Sequence, residues 1–167
     1  RYGSMASLKD IKKRINSVRN TQQITKAMKM VSAAKLRKAQ QAVLATRPYA
    51  EKMGAIIANL VPKAKDISHP LLKERPRERA LILLLTGDRG LCGGFNASIA
   101  KIARDHARRL IADGKTVKII CVGKKGYDIL RRQFARQIIE LIELRSVRQV
   151  GFSNAHAIAE EVLQLFG

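Results

Sequence analysis

ALILLLTGDRGLCGGFN (Ala80–Asn96) decides the fold. Its first part, Ala80–Thr86, is an uninterrupted apolar run closed by Gly87. A run of that length reads as a strand buried on both faces, as in a parallel sheet. The glycines that follow mark a turn, and helical composition resumes from Phe95 to Ile111. Asp113–Lys115 turns the chain, and TVKIICV (Thr116–Val122) is a second buried strand. Gly123–Gln137 is a turn and another helix, and Ser153 is placed to cap a last helix, Asn154–Phe166. Strand–helix–strand–helix is the pattern of a Rossmann-like α/β layer with a small, mostly parallel sheet between helical layers. Such a sheet needs a third strand, and no clear one follows. Ile138–Leu144 is a possible short strand, but IIELIELR also fits a helix.

Toward the N-terminus the character changes. Residues Val61–Arg79 read as a polar linker punctuated by Pro62, Pro70 and Pro76. Between Leu8 and Arg47 there is neither Gly nor Pro, and Ala, Lys, Arg, Gln and Met dominate. That composition predicts a helix about 60 Å long at 1.5 Å per residue. Ser7 caps it and Asp10 suits its first turn. Pro48 is expected to kink or end it, with helix resuming at Tyr49 and running to about Leu60. The chain therefore divides into a helical arm over 5–60, a linker over 61–79 and an incomplete α/β domain over 80–167. Arg1–Ser4 precede Met5 and read as a vector-derived scar.

Within the arm, Leu8, Ile11, Ile15 and Val18 are spaced as a coiled-coil seam, and the same phase returns at Leu36, Ala39 and Val43. Between them the phase holds Gln22, Thr25, Lys29 and Ser32, while Ile24, Met28 and Val31 form a displaced apolar strip. One reading is a stutter that adjusts supercoil twist. The other is a helix with two kinds of neighbour, a partner helix along the seam and a second surface against the strip. Methionine suits a surface that meets more than one shape.

Charge narrows the partner. The 167-residue chain carries a formal net charge of +20, and no acid appears from Ile11 to Ala50. Solvated helices normally mix signs to gain i,i+4 pairs. Lys26, Lys29, Lys35, Arg37 and Lys38 therefore call for an acidic partner: nucleic acid, an anionic membrane surface or an acidic protein. Aromatic side chains for base stacking are scarce, with only Tyr49 near the basic helix. The apolar run Ala80–Leu85 is too short to cross a bilayer. Cys92 and Cys121 stand apart without a CxxC and read as reduced thiols.

The loop Thr86–Asn96 sits where a strand meets a helix, the place where doubly wound sheets bind ligands. Its glycines follow GxxGxxGG rather than GxGxxG, and no Gly-Lys-Ser/Thr is present. The second strand ends in Gly123–Lys125 without the acid that grips a ribose. The loop is then a nucleotide site with a poor pattern, a tight turn, or a contact loop with Asp88 and Arg89 as polar reach. His69, His106 and His156 are dispersed and assemble no catalytic set.

Two of these stretches carry a resemblance. SLKDIKKRINSVRNTQQITKAMKMVSAAKLRKAQ (Ser7–Gln40) resembles the N-terminal helix of gamma subunits of F-type ATP synthases, and LTGDRGLCGGFN (Leu85–Asn96) is similar to their most recognisable loop. RPYAEKM (Arg47–Met53) and HPLL (His69–Leu72) also fit. The resemblance implies a central-stalk rotor without catalysis or cofactor of its own. Its shaft would stand inside a ring of alpha and beta subunits, and its α/β layer would meet epsilon and the c-ring. It also implies a peripheral place on the cytoplasmic face of a bacterial membrane, touching the membrane only indirectly. On that footing Lys26, Met28, Lys29, Met30, Lys35 and Lys38 face the acidic segments of beta, and Asp88, Arg89 and Asn96 are stator-contact candidates. Family chains continue past Gly167 with more of the sheet and a long C-terminal helix. The resemblance thus implies a portion lacking that helix, whose exposed seam self-associates or packs back on the α/β layer. Read on the residues alone, the alternatives are a basic nucleic-acid-binding module and a Rossmann-type nucleotide-binding enzyme.

Overall fold

A computed structural model of the chain describes residues 7–63, 69–72 and 75–166. Arg1–Ser4, read as a scar, and part of the 61–79 linker lie outside the described residues. The chain falls into two units, one up to Ser68 and one from His69 onward.

The first unit is dominated by α1 (Leu8–Leu60), a single helix of 53 residues, about 80 Å long. The Ser7 hydroxyl accepts the Asp10 backbone N–H at 3.3 Å and donates to the Asp10 carboxylate at 3.0 Å, which closes the N-terminal turn as its sequence predicts. Pro48 lies inside the helix and does not end it. Its missing N–H removes the bond to the Leu44 carbonyl, but Leu44 is exposed, so water can serve that oxygen. Helix formers on both sides carry α1 through. A 3-10 turn, Val61–Lys63, follows.

The second unit is a three-layer α/β structure. Strands β1 (Arg79–Leu85), β2 (Thr116–Val122) and β3 (Ile138–Ile142) pair in the order β1-β2-β3, both pairs parallel. Helices α2 (Phe95–Ala112) and α3 (Lys124–Phe134) are the crossovers. Both connections step the same way across the sheet, so right-handedness puts both helices on one face. There Leu84, Val117, Ile119 and Cys121 pack against Ala103 and Ala107 of α2 and Leu130 and Phe134 of α3. Alanines in α2 let the helix approach closely. Helix α4 (Phe152–Phe166) follows β3. Its Val162, Leu165 and Phe166 border a groove of about 650 Å³ on the other face, floored by Leu81 and Leu83. Arg75 pins the end of α4, donating to the Phe166 carbonyl at 2.7 Å with its guanidinium 4.7 Å from the ring centre.

Three expectations change. Ile138–Ile142 is a strand, so the third strand exists. Its pairing with β2 skips Ile139, which bulges between the partners of Ile119 and Ile120. The strand β1 is not buried on both faces. It lies at the sheet edge, with Leu84 buried and Leu83 and Leu85 exposed. Ser153 does not cap α4, because the helix begins at Phe152. Asn154 serves there instead, its side-chain oxygen accepting the Gly151 N–H at 3.0 Å.

Candidate functional site: the strand-end loop and the basic helix

All three strands run toward the same edge, so the loop after β1, the turn after β2 and the segment after β3 meet there. Thr86 starts the junction. Its N–H donates to the Val122 carbonyl at 2.8 Å, its hydroxyl donates to the Gly123 carbonyl at 3.2 Å, and that hydroxyl accepts the Gly126 N–H at 2.8 Å. This close crossing requires glycine at 123. Its φ is +98°, and a Cβ there would overlap the Thr86 carbonyl.

Beyond Thr86 the loop is braced by two side chains. Asp88 turns inward: one carboxylate oxygen accepts the Lys124 N–H and the other the Leu144 N–H, each at 2.8 Å. Asn96, 7% exposed, accepts the Gly87 N–H at 2.9 Å. Its amide nitrogen donates to Cys92 Sγ at 3.0 Å and to the Arg89 carbonyl at 3.5 Å. What projects is the tip Arg89–Leu91, with Leu91 fully exposed in the left-handed region at φ +63°. Beside it a cleft of about 440 Å³ is lined by Asn96, Lys125, Asp128 and Arg132 among others.

The loop residues named from sequence thus separate. Arg89 is exposed, whereas Asp88 and Asn96 spend their polar atoms inside the loop. The framing roles of Thr86, Gly123 and Gly126 went unread. A signal existed for Asn96: with Ala100, Ala103 and Ala107 it forms the buried stripe of α2 at helical spacing. Cys92 is exposed, and Cys121 is buried in the core, which pushes its thiol up to about 11.

Along α1, Lys26, Met28, Lys29, Met30, Lys35 and Lys38 are all exposed, and so are Leu8, Ile11, Ile15, Val18, Leu36 and Val43. The helix has no buried residue. It presents its apolar seam and its cations together. Among the described residues no helix is long and apolar enough to cross a membrane, and no group of three His, Cys, Asp or Glu is placed to hold a metal ion.

An exposed basic helical arm joined in one chain to a parallel α/β layer with a braced, projecting loop defines an α/β protein with a long helical extension. A family model described as ATP synthase matches residues 7–167. The chain is 60% identical over 165 residues to the ATP synthase gamma chain of Methylobacterium nodulans, covering 97% of this chain and 56% of that one. It is 59% identical, with the same coverage, to the gamma chain of a second Methylobacterium strain. A solved structure of the central stalk and c-ring of Tetrahymena thermophila mitochondrial ATP synthase contains a chain that is 31% identical, with a TM-score of 0.62, covering 83% of this chain and 58% of that one. The chain belongs to the ATP synthase family. It spans just over half the length of the curated gamma chains it matches. These likenesses bear out the resemblance read from Ser7–Gln40 and Leu85–Asn96.

Proposed function

We propose that this chain forms part of the central stalk of a rotary ATP synthase, coupling ion-driven rotation to ATP synthesis carried out on beta subunits. The observation that carries the reading is the likeness to gamma chains across 97% of the chain, the arm and the α/β unit alike. The physical features agree with it. A rotor must meet several orientations of its surroundings without locking to one. Lys26, Lys29, Lys35 and Lys38 give α1 a long-range attraction to acidic segments, while Met28 and Met30 offer adaptable apolar contact. The seam from Leu8 to Val43 takes a partner helix. In this role the chain does no chemistry and holds no cofactor. Its partners are the alpha and beta subunits, epsilon and the c-ring, and it works peripherally on the cytoplasmic face of a bacterial membrane. At the strand-end loop the outward contact belongs to Arg89 and its neighbours, with Asp88 and Asn96 holding them in place.

The test is co-sedimentation of the chain with an alpha–beta hexamer lacking gamma, at physiological salt and with excess heparin. Retention that disappears in Lys26→Glu/Lys29→Glu supports docking through the basic helix. Loss of retention to heparin alone, with equal binding to generic DNA, supports the nucleic-acid reading instead.

A further inference from the structure

Asp88 immediately precedes the exposed tip, yet its carboxylate points away from it. The two N–H groups it accepts belong to different connections: Lys124 opens α3 after β2, and Leu144 follows β3. The first N–H groups of a helix have no partner within it, so the Lys124 amide needs an outside acceptor. One side chain therefore ties together all three strand-end segments. The tip has a matching demand. Leu91 holds a left-handed φ of +63°, a conformation that persists in a non-glycine residue only when its surroundings fix it. Asp88 stands on one side of the Arg89–Leu91 tip, and Asn96, through the Arg89 carbonyl and Cys92 Sγ, stands on the other.

We propose that Asp88 is a positioning residue that locks the Arg89–Leu91 tip to the sheet, so that force applied at the tip is delivered to the whole α/β unit rather than absorbed by the loop. The chemistry selects a carboxylate. An ionised carboxylate is acceptor-only and can serve both amides, whereas an asparagine of the same shape serves one and turns its NH2 donors toward the other. Asp88→Asn is thus a near-isosteric break of one arm of the tie. The tip's mechanical role rests on the central-stalk reading; the tie itself does not.

Two measurements test the proposal. Amide exchange by NMR on the complete chain is expected to show the Lys124 or Leu144 N–H exchanging about tenfold faster in Asp88→Asn, with the Ile119 and Ile120 amides still protected. Unchanged exchange at both positions overturns the tie. In the assembled complex in vesicles, ions pumped per ATP hydrolysed are compared for wild type, Asp88→Asn, Leu91→Ala and the double variant. Asp88→Asn is expected to lower that ratio about threefold, and to lower it no further once Leu91 is truncated, because the tie acts through the tip. Additive losses, or a wild-type ratio in Asp88→Asn, overturn the positioning role. A wild-type complex that does not pump removes the central-stalk reading, and the exchange measurement then decides the tie alone.

Discussion

Replacing Gly123 by alanine isolates the contact that joins the ends of β1 and β2. An alanine there must hold φ +98° with ψ +128°, outside the left-handed helical well, which costs about 1–3 kcal/mol for an L-residue. Its Cβ would also overlap the Thr86 carbonyl oxygen and come within 2.9 Å of Thr86 Oγ1. Backbone cannot swing aside as a flexible side chain can, so Thr86 must move. That movement places three hydrogen bonds at risk: Thr86 N–H to Val122, Thr86 Oγ1 to Gly123, and Gly126 N–H to Thr86 Oγ1. At about 1 kcal/mol for each bond, the bonds and the strain together give a loss of about 4–6 kcal/mol. Domains of this size are stable by only about 5–15 kcal/mol. Gly114→Ala is the matched control. Gly114 has φ +76° but nothing within 4 Å of its would-be Cβ, so it loses only the conformational share, about 1 kcal/mol. Urea unfolding followed by tyrosine fluorescence reads the difference, because Tyr127 packs against the core and the chain has no Trp. If Gly123→Ala proves no more destabilising than Gly114→Ala, the close crossing at Thr86 is not what holds the strand ends together.

Two further outcomes follow from the titratable groups. The Glu140 carboxyl is raised above its ordinary value, first by a hydrogen bond shared with Glu161, then by burial and by repulsion from the Glu161 charge. The folded state therefore holds that proton more tightly than the unfolded chain, so this contribution grows as pH falls through the raised value and fades as pH rises past it. Glu140→Gln should raise Tm slightly at pH 7, with the gain shrinking toward pH 4; a gain that grows on acidification contradicts the shared-proton account. Thiol titration with an aromatic disulfide at pH 8 should modify Cys92 alone, and both cysteines only in denaturant, because Cys121 is buried with its thiol pushed up to about 11.

What the sequence made legible was local. The strand β2 and the helices α2 and α3 each announce themselves through a continuous apolar run or a helical stripe bounded by glycine. The third strand did not, because Ile138–Leu144 alternates in a way that suits either state, and only pairing with β2, with Ile139 bulged out, resolves it. The exposure of β1 was hidden for a related reason: a run of leucines looks the same whether the sheet's second face is closely covered or borders an open groove. In the loop, composition marked the place but not the direction of the side chains. Asp88 looked like polar reach, yet its partners lie 36 and 56 residues away along the chain, a distance no spacing rule spans. Asn96 could have been read inward from the stripe it begins.

Each of the two units has its own source of stability, and the difference bears on function. The α/β unit has an interior, and the backbone ties at its strand ends fix one arrangement. Helix α1 has no buried residue, so its own unit offers it no packed interior. In isolation such a helix depends on residue propensity and on side-chain pairs along its surface. Those pairs work against it: Lys9 with Lys12 and Lys13, Lys26 with Lys29, and Lys35 with Lys38 are like charges at helical spacing, each unfavourable by about 0.2–0.5 kcal/mol. Its apolar seam meanwhile faces solvent. A sequence shaped for the stability of a lone helix would interleave acids and trim the seam. This one does neither over Ile11–Ala50. Both departures become favourable in the same surroundings, an apolar helix along the seam and acidic groups around the remaining face. The composition of α1 is thus that of a helix suited to an apolar neighbour along its seam and to acidic groups around its other face, the surroundings that the central-stalk proposal would give it.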